Sequence, residues 1–345
     1  MKLSDFEFSL PERLIAQHPL PRRDQSRLMV VDRSSGQVEH SIFRDLPEIL
    51  GHRHFLVLNN TRVFPARLWG RRPDKDETIE VLLVQEVEKN LWRALVRPAR
   101  KTPVGQVIEF GDLRASVEES LDDGSRLLRF RGITDLMARL DRIGETPLPP
   151  YIRRPAGHHS PEDQERYQTV YAARTGSVAA PTAGLHFTPE VLSALRRREV
   201  GTCEILLHVG YGTFKPIRYK EIENHQMDGE YFEVGPQAAG CISRYRKYGR
   251  RLIAVGTTVT RVLEHLGLQG GIPGHGSSGV CDLFIYPGHT FRLIDGLLTN
   301  FHLPGSTLFV LVCAFAGRDL MLECYRDAID RQYRFFSYGD CMLIL

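Results

Sequence analysis

The sequence predicts an α/β core domain with a small all-β, barrel-like domain inserted into it, and three observations carry that reading. Apolar segments ending in glycine-containing or polar turns alternate with helix-patterned segments near the start of the chain and again after residue 147. Between residues 66 and 146 the helical pattern gives way to strand-length runs. Prolines bracket the change, Pro65 on one side and Pro147-Leu148-Pro149-Pro150 on the other, and such prolines make stiff entry and exit points. The α/β domain is therefore placed at residues 1–65 and 147–345, and the inserted domain at 66–146. A chain of 345 residues has room for both, and 42% hydrophobic with 25% charged residues is the composition of a globular protein. A net charge of +3 does not by itself argue for nucleic acid.

Residues 11–17 read as a short helix and 26–32 as a strand, followed by a turn at Ser34-Ser35-Gly36 and a short segment at 38–40. Phe55, Leu56, Val57 and Leu58 form a buried strand that ends in Asn59-Asn60-Thr61-Arg62. That places hydrogen-bonding groups at a strand's carboxyl end, where ligands bind in α/β sheets. In the inserted domain, runs at 78–84, 91–96, 106–110, 115–119 and 126–130 are strands, with turns at Lys89-Asn90, Gly111-Asp112 and Asp122-Asp123-Gly124 between them. Further on, Thr188 caps a helix over 189–198 that has proline at its first position. Strands follow at 203–209 and 251–255, the second opening through Gly256-Thr257-Thr258 into a helix over 259–266. A short apolar run at 283–286 precedes Pro287-Gly288, Ser306 or Thr307 caps the run to 316, and 325–331 is helical. Residues 269–279 are rich in Gly and Ser and read as a flexible loop.

None of the six cysteines sits in a Cys-x-x-Cys pair. This argues against a zinc ribbon or a thioredoxin-like site and fits a reducing cytoplasm. No apolar leader is visible at the start, and the longest apolar run, 308–316, is too short to span a bilayer.

Four segments share one pattern, an apolar stretch that enters a glycine-containing turn bearing a histidine, an aromatic ring or an acid. Residues 176–188 are mostly small and end in His186-Phe187-Thr188, with Thr182 inside the turn. Residues 206–214 pass through His208 to Gly210-Tyr211-Gly212 and Phe214. Residues 298–307 set Asn300-Phe301-His302 before Pro304-Gly305, and 333–340 gather aromatics, Tyr338, Gly339 and Asp340. Small residues admit a flat ligand close to the backbone, and imidazole or aromatic groups at the rim hydrogen-bond and stack. One such turn is ordinary packing. Four point to loops converging on one pocket at strand ends.

Other signals are weaker. The stretch 244–251 interleaves Tyr with Arg and Lys, which suits phosphate contacts, whereas Arg196, Arg197 and Arg198 read as a solvated helix face. The turn at 255–258 leaves N–H groups at a helix start, fit for a carboxylate or phosphate as well as for ordinary capping. Gly210-x-Gly212 lacks the third glycine of a dinucleotide fingerprint, and no Walker A, G-x-S-x-G or H-E-x-x-H motif occurs. His52 and His54 are a poor metal pair, and His158-His159 read as surface residues, so a metal enzyme is disfavoured.

Taken together, the residues resemble the S-adenosylmethionine:tRNA ribosyltransferase-isomerase family of queuosine biosynthesis. The blocks that carry the resemblance are 14–17 with 26–28, 58–63 with 65–68, 147–152, 166–171, 176–188, 208–216, 225–231, 255–264, 284–291, 295–307 and 333–342, which together span essentially the whole chain. The resemblance implies an α/β domain with an inserted β-barrel. It implies transfer and isomerisation of the ribosyl part of S-adenosylmethionine onto the aminomethyl group of a 7-deazaguanine base at the tRNA wobble position. The products are epoxyqueuosine in tRNA, adenine and methionine. It implies no prosthetic group and no metal, S-adenosylmethionine as co-substrate, tRNA as partner and a cytoplasmic location. A monomer is expected, since no coiled coil or long apolar edge is visible. Three departures stand out: Gly305 replaces a basic residue after His-Leu-Pro, His289 replaces an aromatic after Pro-Gly, and the 269–279 loop is longer than usual.

A sulfonium acidifies the hydrogens on the adjacent ribose carbon. One route removes such a proton to give an ylide, after which adenine leaves, the amine attacks, and methionine leaves as the epoxide closes. That route needs a base, an acid for adenine, and aromatic or acidic groups around the cation. His186 and His302 are the first candidates, followed by His208, Asp228 and Asp340, the last also fit to pair with the sulfonium or the amine. Phe187, Phe214, Phe301 and Tyr338 are stacking candidates for adenine or the deazaguanine. Asn59, Asn60, Thr61 and Arg62 suit ribose hydroxyls or tRNA, and Thr257 and Thr258 the methionyl carboxylate. Thr182, Tyr211 and Asn300 complete the substrate-binding set, and Arg97, Arg100 and Lys101 of the inserted domain offer an RNA contact. Two other classes compete. A methyltransferase needs a Gly-rich turn after its first strand and an acid after its second, and neither is evident. A non-catalytic RNA-binding protein would not consume the cofactor. Release of adenine separates all three.

Overall fold

The computed structural model describes the chain apart from residues 74, 76, 156, 158, 159, 211 and 213–216. It divides into two compact units, one of Met1–Thr61, Thr169–Arg174 and Ala180–Leu345, the other of Arg62–Gln168 and Thr175–Ala179.

The larger unit is built on a nine-stranded sheet in the order Ser277–Cys281, Glu230–Val234, Gly201–Leu207, His54–Asn59, Arg251–Val255, Gly296–Asn300, Cys341–Ile344, Arg27–Val31, Val38–Ile42. The four strands from Gly201–Leu207 to Gly296–Asn300 are parallel. Cys341–Ile344 then runs antiparallel to Gly296–Asn300 and parallel to Arg27–Val31. The central strands are apolar almost end to end because both faces are covered. Successive residues point to opposite faces. Leu56, Leu58, Ile253, Val255 and Leu298 therefore share one core with Val191 and Leu195 of helix Pro189–Arg197. Phe55, out of phase by one, meets Tyr245 of helix Pro236–Lys247 on the second face, with ring centroids 4.9 Å apart. The crossovers into Arg251–Val255 and on to Gly296–Asn300 move the same way along the sheet. Right-handed connection then puts helix Thr257–Leu268 on the second face as well.

Local signals acted as read in most places. Thr188 accepts from Val191 N at 3.2 Å to open its helix, and Ser306 rather than Thr307 caps Thr307–Ala316. The expected helix at 11–17 shrinks to one turn, Glu12–Leu14, because Ile15 leaves it to bridge Phe335. The end of the expected 269–279 loop is the edge strand Ser277–Cys281, paired antiparallel with Glu230–Val234. An edge strand tolerates the Gly and Ser that disguised it. Cys203 and Cys241 are joined as a disulfide, with Cα atoms 6.5 Å apart, where the sequence suggested only free thiols.

The smaller unit holds a closed barrel in the order Arg126–Arg131, Leu91–Arg97, Thr78–Glu88, Arg67–Arg71, Val107–Phe110, Leu113–Ser120. Arg67–Arg71 is the closing strand that sequence reading missed. Its Gly70 is required, since a Cβ there would come within 2.6 Å of Ile108 Cγ2. The polyproline stretch is not the exit from this unit. Gln168 donates to Val63 O (2.6 Å) and accepts from Val63 N (3.1 Å), and Arg154 forks onto Asp163 (2.7 and 3.0 Å), which keeps the segment to residue 168 with the barrel. Among the described residues no helix is long and apolar enough to cross a membrane.

Candidate active site

The carboxyl ends of four neighbouring parallel strands present Asn59, Leu207, Val255 and Asn300 in a row, each continuing into one of the polar turns. Because Cys341–Ile344 runs the other way, Asp340 at its start reaches the same edge, and so do Ser26 and Arg27. The turns carrying His186, His208, His302 and Asp340 thus lie along one edge of one sheet.

His186 ends the short turn Thr182–His186, which Thr182 opens half-buried. Its Nε2 lies 3.2 Å from Asn300 Oδ1 and its Nδ1 2.7 Å from Ser26 Oγ. Asn300 Nδ2 donates to Phe336 O at 2.8 Å, so Oδ1 is the acceptor and His186 Nε2 carries the proton. Nδ1 then accepts from the Ser26 hydroxyl. Burial pushes this imidazole down to about 4, against an opposing pull from Asn300 and Asp340, and it is neutral at neutral pH. Both ring nitrogens are committed, which makes His186 a brace rather than an open base.

His302 differs. Its Nε2 meets Thr299 Oγ1 at 2.8 Å, its backbone N donates to Tyr325 Oη at 3.0 Å, and among the described residues the ring makes no other hydrogen bond. Burial pushes this imidazole down to about 3. Thr299 and Asn300 are consecutive in one strand, so their side chains leave opposite faces of the sheet. The two leading candidates are therefore held from opposite faces of that strand, His186 by Asn300 and His302 by Thr299.

Asp340 is fully buried and accepts from Arg27 N (2.8 Å), Arg27 Nε (3.2 Å) and Arg334 N (2.8 Å). Arg27 in turn lies over the Tyr333 ring, 4.0 Å from its centroid. These donors tie three chain segments together and make Asp340 an anchor. Phe187 and Phe301 are also structural. Phe187 packs against Phe43 (5.0 Å), and Phe301 against Tyr325, Tyr333 and Phe335 (5.2–5.4 Å), with no ring face exposed for stacking. Tyr338 is buried in the same turn as Asp340.

At the other end of the row, His208 Nδ1 is 2.9 Å from Thr61 Oγ1 and its ring stacks on Tyr231. Burial, then Arg174, push this imidazole down. The Asn59 side chain donates to Leu207 O (2.9 Å) and accepts from Thr61 N and Leu207 N (both 3.1 Å), so it splices two strand ends together. Asn60 Nδ2 donates to Glu204 Oε2 at 3.2 Å. Arg62 is exposed and belongs to the smaller unit. Tyr211 and Phe214 lie outside the described residues, as do His158 and His159. Asp228 is exposed and sits against Gly212, where a Cβ would overlap its carboxylate.

Sequence reading missed a buried ion pair on the second face. Arg261 Nη1 pairs with Glu230 Oε2, and both side chains are only 3% exposed. Arg261 also donates to Leu283 O (2.9 Å) and Cys281 O (3.1 Å), and Glu230 Oε1 accepts from Gly210 N (2.8 Å). One turn further along the helix, Glu264 accepts from the backbone N of Arg292 (2.7 Å), Leu293 (3.0 Å) and Ile294 (3.0 Å), and pairs with His289 (3.4 Å). The signal was present: an Arg and a Glu inside an otherwise apolar helical run must have buried partners. The basic stretch 244–251 lies at the amino ends of the strands, opposite this edge. There Arg246 pairs with Asp295, and Arg244 and Arg250 flank Tyr245. In the smaller unit Lys101 is paired with Glu77, while Arg97 and Arg100 are exposed. Among the described residues no group of three His, Cys, Asp or Glu could hold a metal ion.

A family model described as queuosine biosynthesis protein matches residues 3–344. The chain belongs to that family. Proteins named S-adenosylmethionine:tRNA ribosyltransferase-isomerase from Desulfitobacterium hafniense and Heliobacterium modesticaldum are 51% and 49% identical to it, with all of each chain covered. A crystal structure of S-adenosylmethionine tRNA ribosyltransferase from Thermotoga maritima is 38% identical, with a TM-score of 0.57 over 99% of this chain and 100% of that one.

Proposed function

We propose that this protein transfers and isomerises the ribosyl moiety of S-adenosylmethionine onto the aminomethyl group of 7-aminomethyl-7-deazaguanine at the tRNA wobble position, releasing adenine and methionine. The observation that carries the reading is full-length similarity, at about half identity, to proteins named for that activity. The geometry of the sheet edge supports it: His302, a buried neutral imidazole, follows the strand Gly296–Asn300, and a helix start with no side-chain cap follows the neighbouring strand Arg251–Val255.

In this reading His302 takes the proton from the carbon next to the sulfonium. Thr299 fixes its ring, and its neutral state leaves a lone pair for the proton. His186, Asn300 and Ser26 hold the turns in place from the opposite face, and Asp340 anchors Arg27 and the 333–340 turn. The helix start at Thr257 and Thr258 receives the methionyl carboxylate. No prosthetic group takes part, and the enzyme works as a cytoplasmic monomer.

The test is incubation with S-adenosylmethionine and tRNA bearing the aminomethyl-deazaguanine base. Stoichiometric free adenine and methionine are expected. Formation of S-adenosylhomocysteine instead would mean methyl transfer, and an unconsumed cofactor would mean a binding protein.

A further inference from the structure

Polar side-chain atoms sealed from water are almost always hydrogen-bonded, and those that are not mark places where a partner belongs. Among the described residues, four such orphans fall at the site edge of the larger unit: Asn60 Oδ1, Thr169 Oγ1, Tyr171 Oη and Thr258 Oγ1. Thr169 and Thr258 are only 4% and 7% exposed, so water does not satisfy them.

Three of these groups flank one turn, and Asn60 lies at the strand end beside it, linked through Ala173. Gly184 lacks a side chain because a Cβ there would overlap the Tyr171 hydroxyl and come within 2.7 Å of Thr169 Cγ2. On the other side of the turn, a Cβ at Gly256 would lie 3.7 Å from Ala183 Cβ and 3.5 Å from Thr258 Oγ1. Gly256 is the N-cap of the twelve-residue helix Thr257–Leu268, with φ at 95°, and no side chain caps that helix. The uncapped helix start thus lies beside the Thr258 hydroxyl and the Ala183 side of the turn. Burial, and next the nearby Glu204 carboxylate, push the Tyr171 phenol up, so it stays a donor. On the Asn60 side the groups accept. Asn60 Nδ2 is taken by Glu204 Oε2 at 3.2 Å, which leaves Oδ1 open beside a carboxylate. The Asn60 carbonyl accepts from Ala173 N at 2.8 Å, which holds it two residues from Tyr171.

We propose that this cluster is a pocket for the zwitterionic α-amino-acid head of S-adenosylmethionine. The hydroxyls of Thr169, Tyr171 and Thr258 and the helix start take its carboxylate, and Asn60 Oδ1 with Glu204 takes its ammonium. The inference rests on S-adenosylmethionine being the substrate. It adds Thr169, Tyr171 and Glu204 to the site and gives the Gly184 turn a task, which is to leave room for the Tyr171 hydroxyl.

The test is calorimetric titration of the full-length protein with S-adenosylmethionine and with its decarboxylated analogue. Wild type should bind the carboxylate-bearing ligand at least about tenfold more tightly, the value of one charge-assisted hydrogen bond. The double variant Thr169→Val with Thr258→Val should lose that preference by weakening S-adenosylmethionine alone, with the analogue unchanged. Its melting temperature should equal or exceed that of wild type, because no existing hydrogen bond is removed. Tyr171→Phe provides a second variant with the same expectation. Equal weakening of both ligands, or no change in either, overturns the pocket. So does a rise in KM for tRNA with S-adenosylmethionine binding untouched, which would assign the cluster to an RNA phosphate. Adenine release by wild type without any carboxylate preference removes the pocket and leaves the function standing. A carboxylate preference without adenine release does the reverse.

Discussion

Replacing Arg261 by methionine should be among the most damaging single changes in the larger unit. Arg261 and Glu230 are each 3% exposed, and the guanidinium makes two further bonds to the carbonyls of Leu283 and Cys281. Methionine keeps most of the volume and removes the charge. Glu230, whose Oε1 accepts from Gly210 N, then keeps a buried negative charge without the guanidinium that balances it. Breaking one side of a buried ion pair costs about 3–5 kcal/mol. For a unit of about 150–250 residues that lowers the melting temperature by roughly 6–20 °C. The companion change Glu230→Gln keeps an acceptor for Gly210 and removes the orphaned charge. The double variant should therefore melt above Arg261→Met alone, a coupling that independent sites would not show. Turnover should fall with the single change through a raised KM, because Gly210, Cys281 and Leu283 are all fixed by this pair. Thermal unfolding and steady-state kinetics on the three variants make the measurement. If Arg261→Met melts within about 2 °C of wild type, the pair is not the brace its burial indicates.

Three further outcomes are expected. His302→Gln should cut adenine release by about 10²-fold or more with a small change in melting temperature, while His186→Asn should lower the melting temperature and cost turnover only in proportion to unfolding. Both imidazoles have folded values near 4 and 3, below the ordinary value of about 6.5. Their stabilisation is thus complete above about pH 6.5 and lost as pH falls toward those values, so melts between pH 7 and pH 4 should show a steep decline that His186→Asn flattens. Gly339→Ala should unfold the turn that positions Asp340, because a Cβ would sit 2.5 Å from Arg334 O and 2.6 Å from Phe335 C, and a drop in soluble yield or melting temperature checks it.

Much of the architecture was legible because it rests on local chemistry. Thr188 before Pro189, Ser306 before an apolar run, and paired turns between β segments act over a few residues. What escaped depends on partners distant in the chain. Arg67–Arg71 is a strand because it closes a barrel, and Ser277–Cys281 is one because Glu230–Val234 offers it an edge. At the site, the sequence identified which turns meet but not what each side chain does there. Phe187 and Phe301 beside histidines looked like stacking surfaces, yet aromatic neighbours from elsewhere in the chain claim both rings. Thr169 and Tyr171 drew no attention as site residues, since an orphan hydroxyl is defined by the absence of a neighbour, which no motif records.

Strand parity decides how the two leading histidines divide the work. One residue separates Thr299 from Asn300, and that step sends their side chains to opposite faces. Both ring nitrogens of His186 are spoken for: Nε2 meets Asn300, itself held by Phe336 O, and Nδ1 meets Ser26. A group in such a closed network can exchange a proton only by breaking bonds that hold the turns together. Around His302 the bonding is incomplete, with one ring nitrogen outside any protein hydrogen bond among the described residues. Buried polar groups left unsatisfied cost stability, and a fold retains them where a ligand completes them. His302 therefore has a ring nitrogen free to exchange a proton, and His186 keeps the turns rigid.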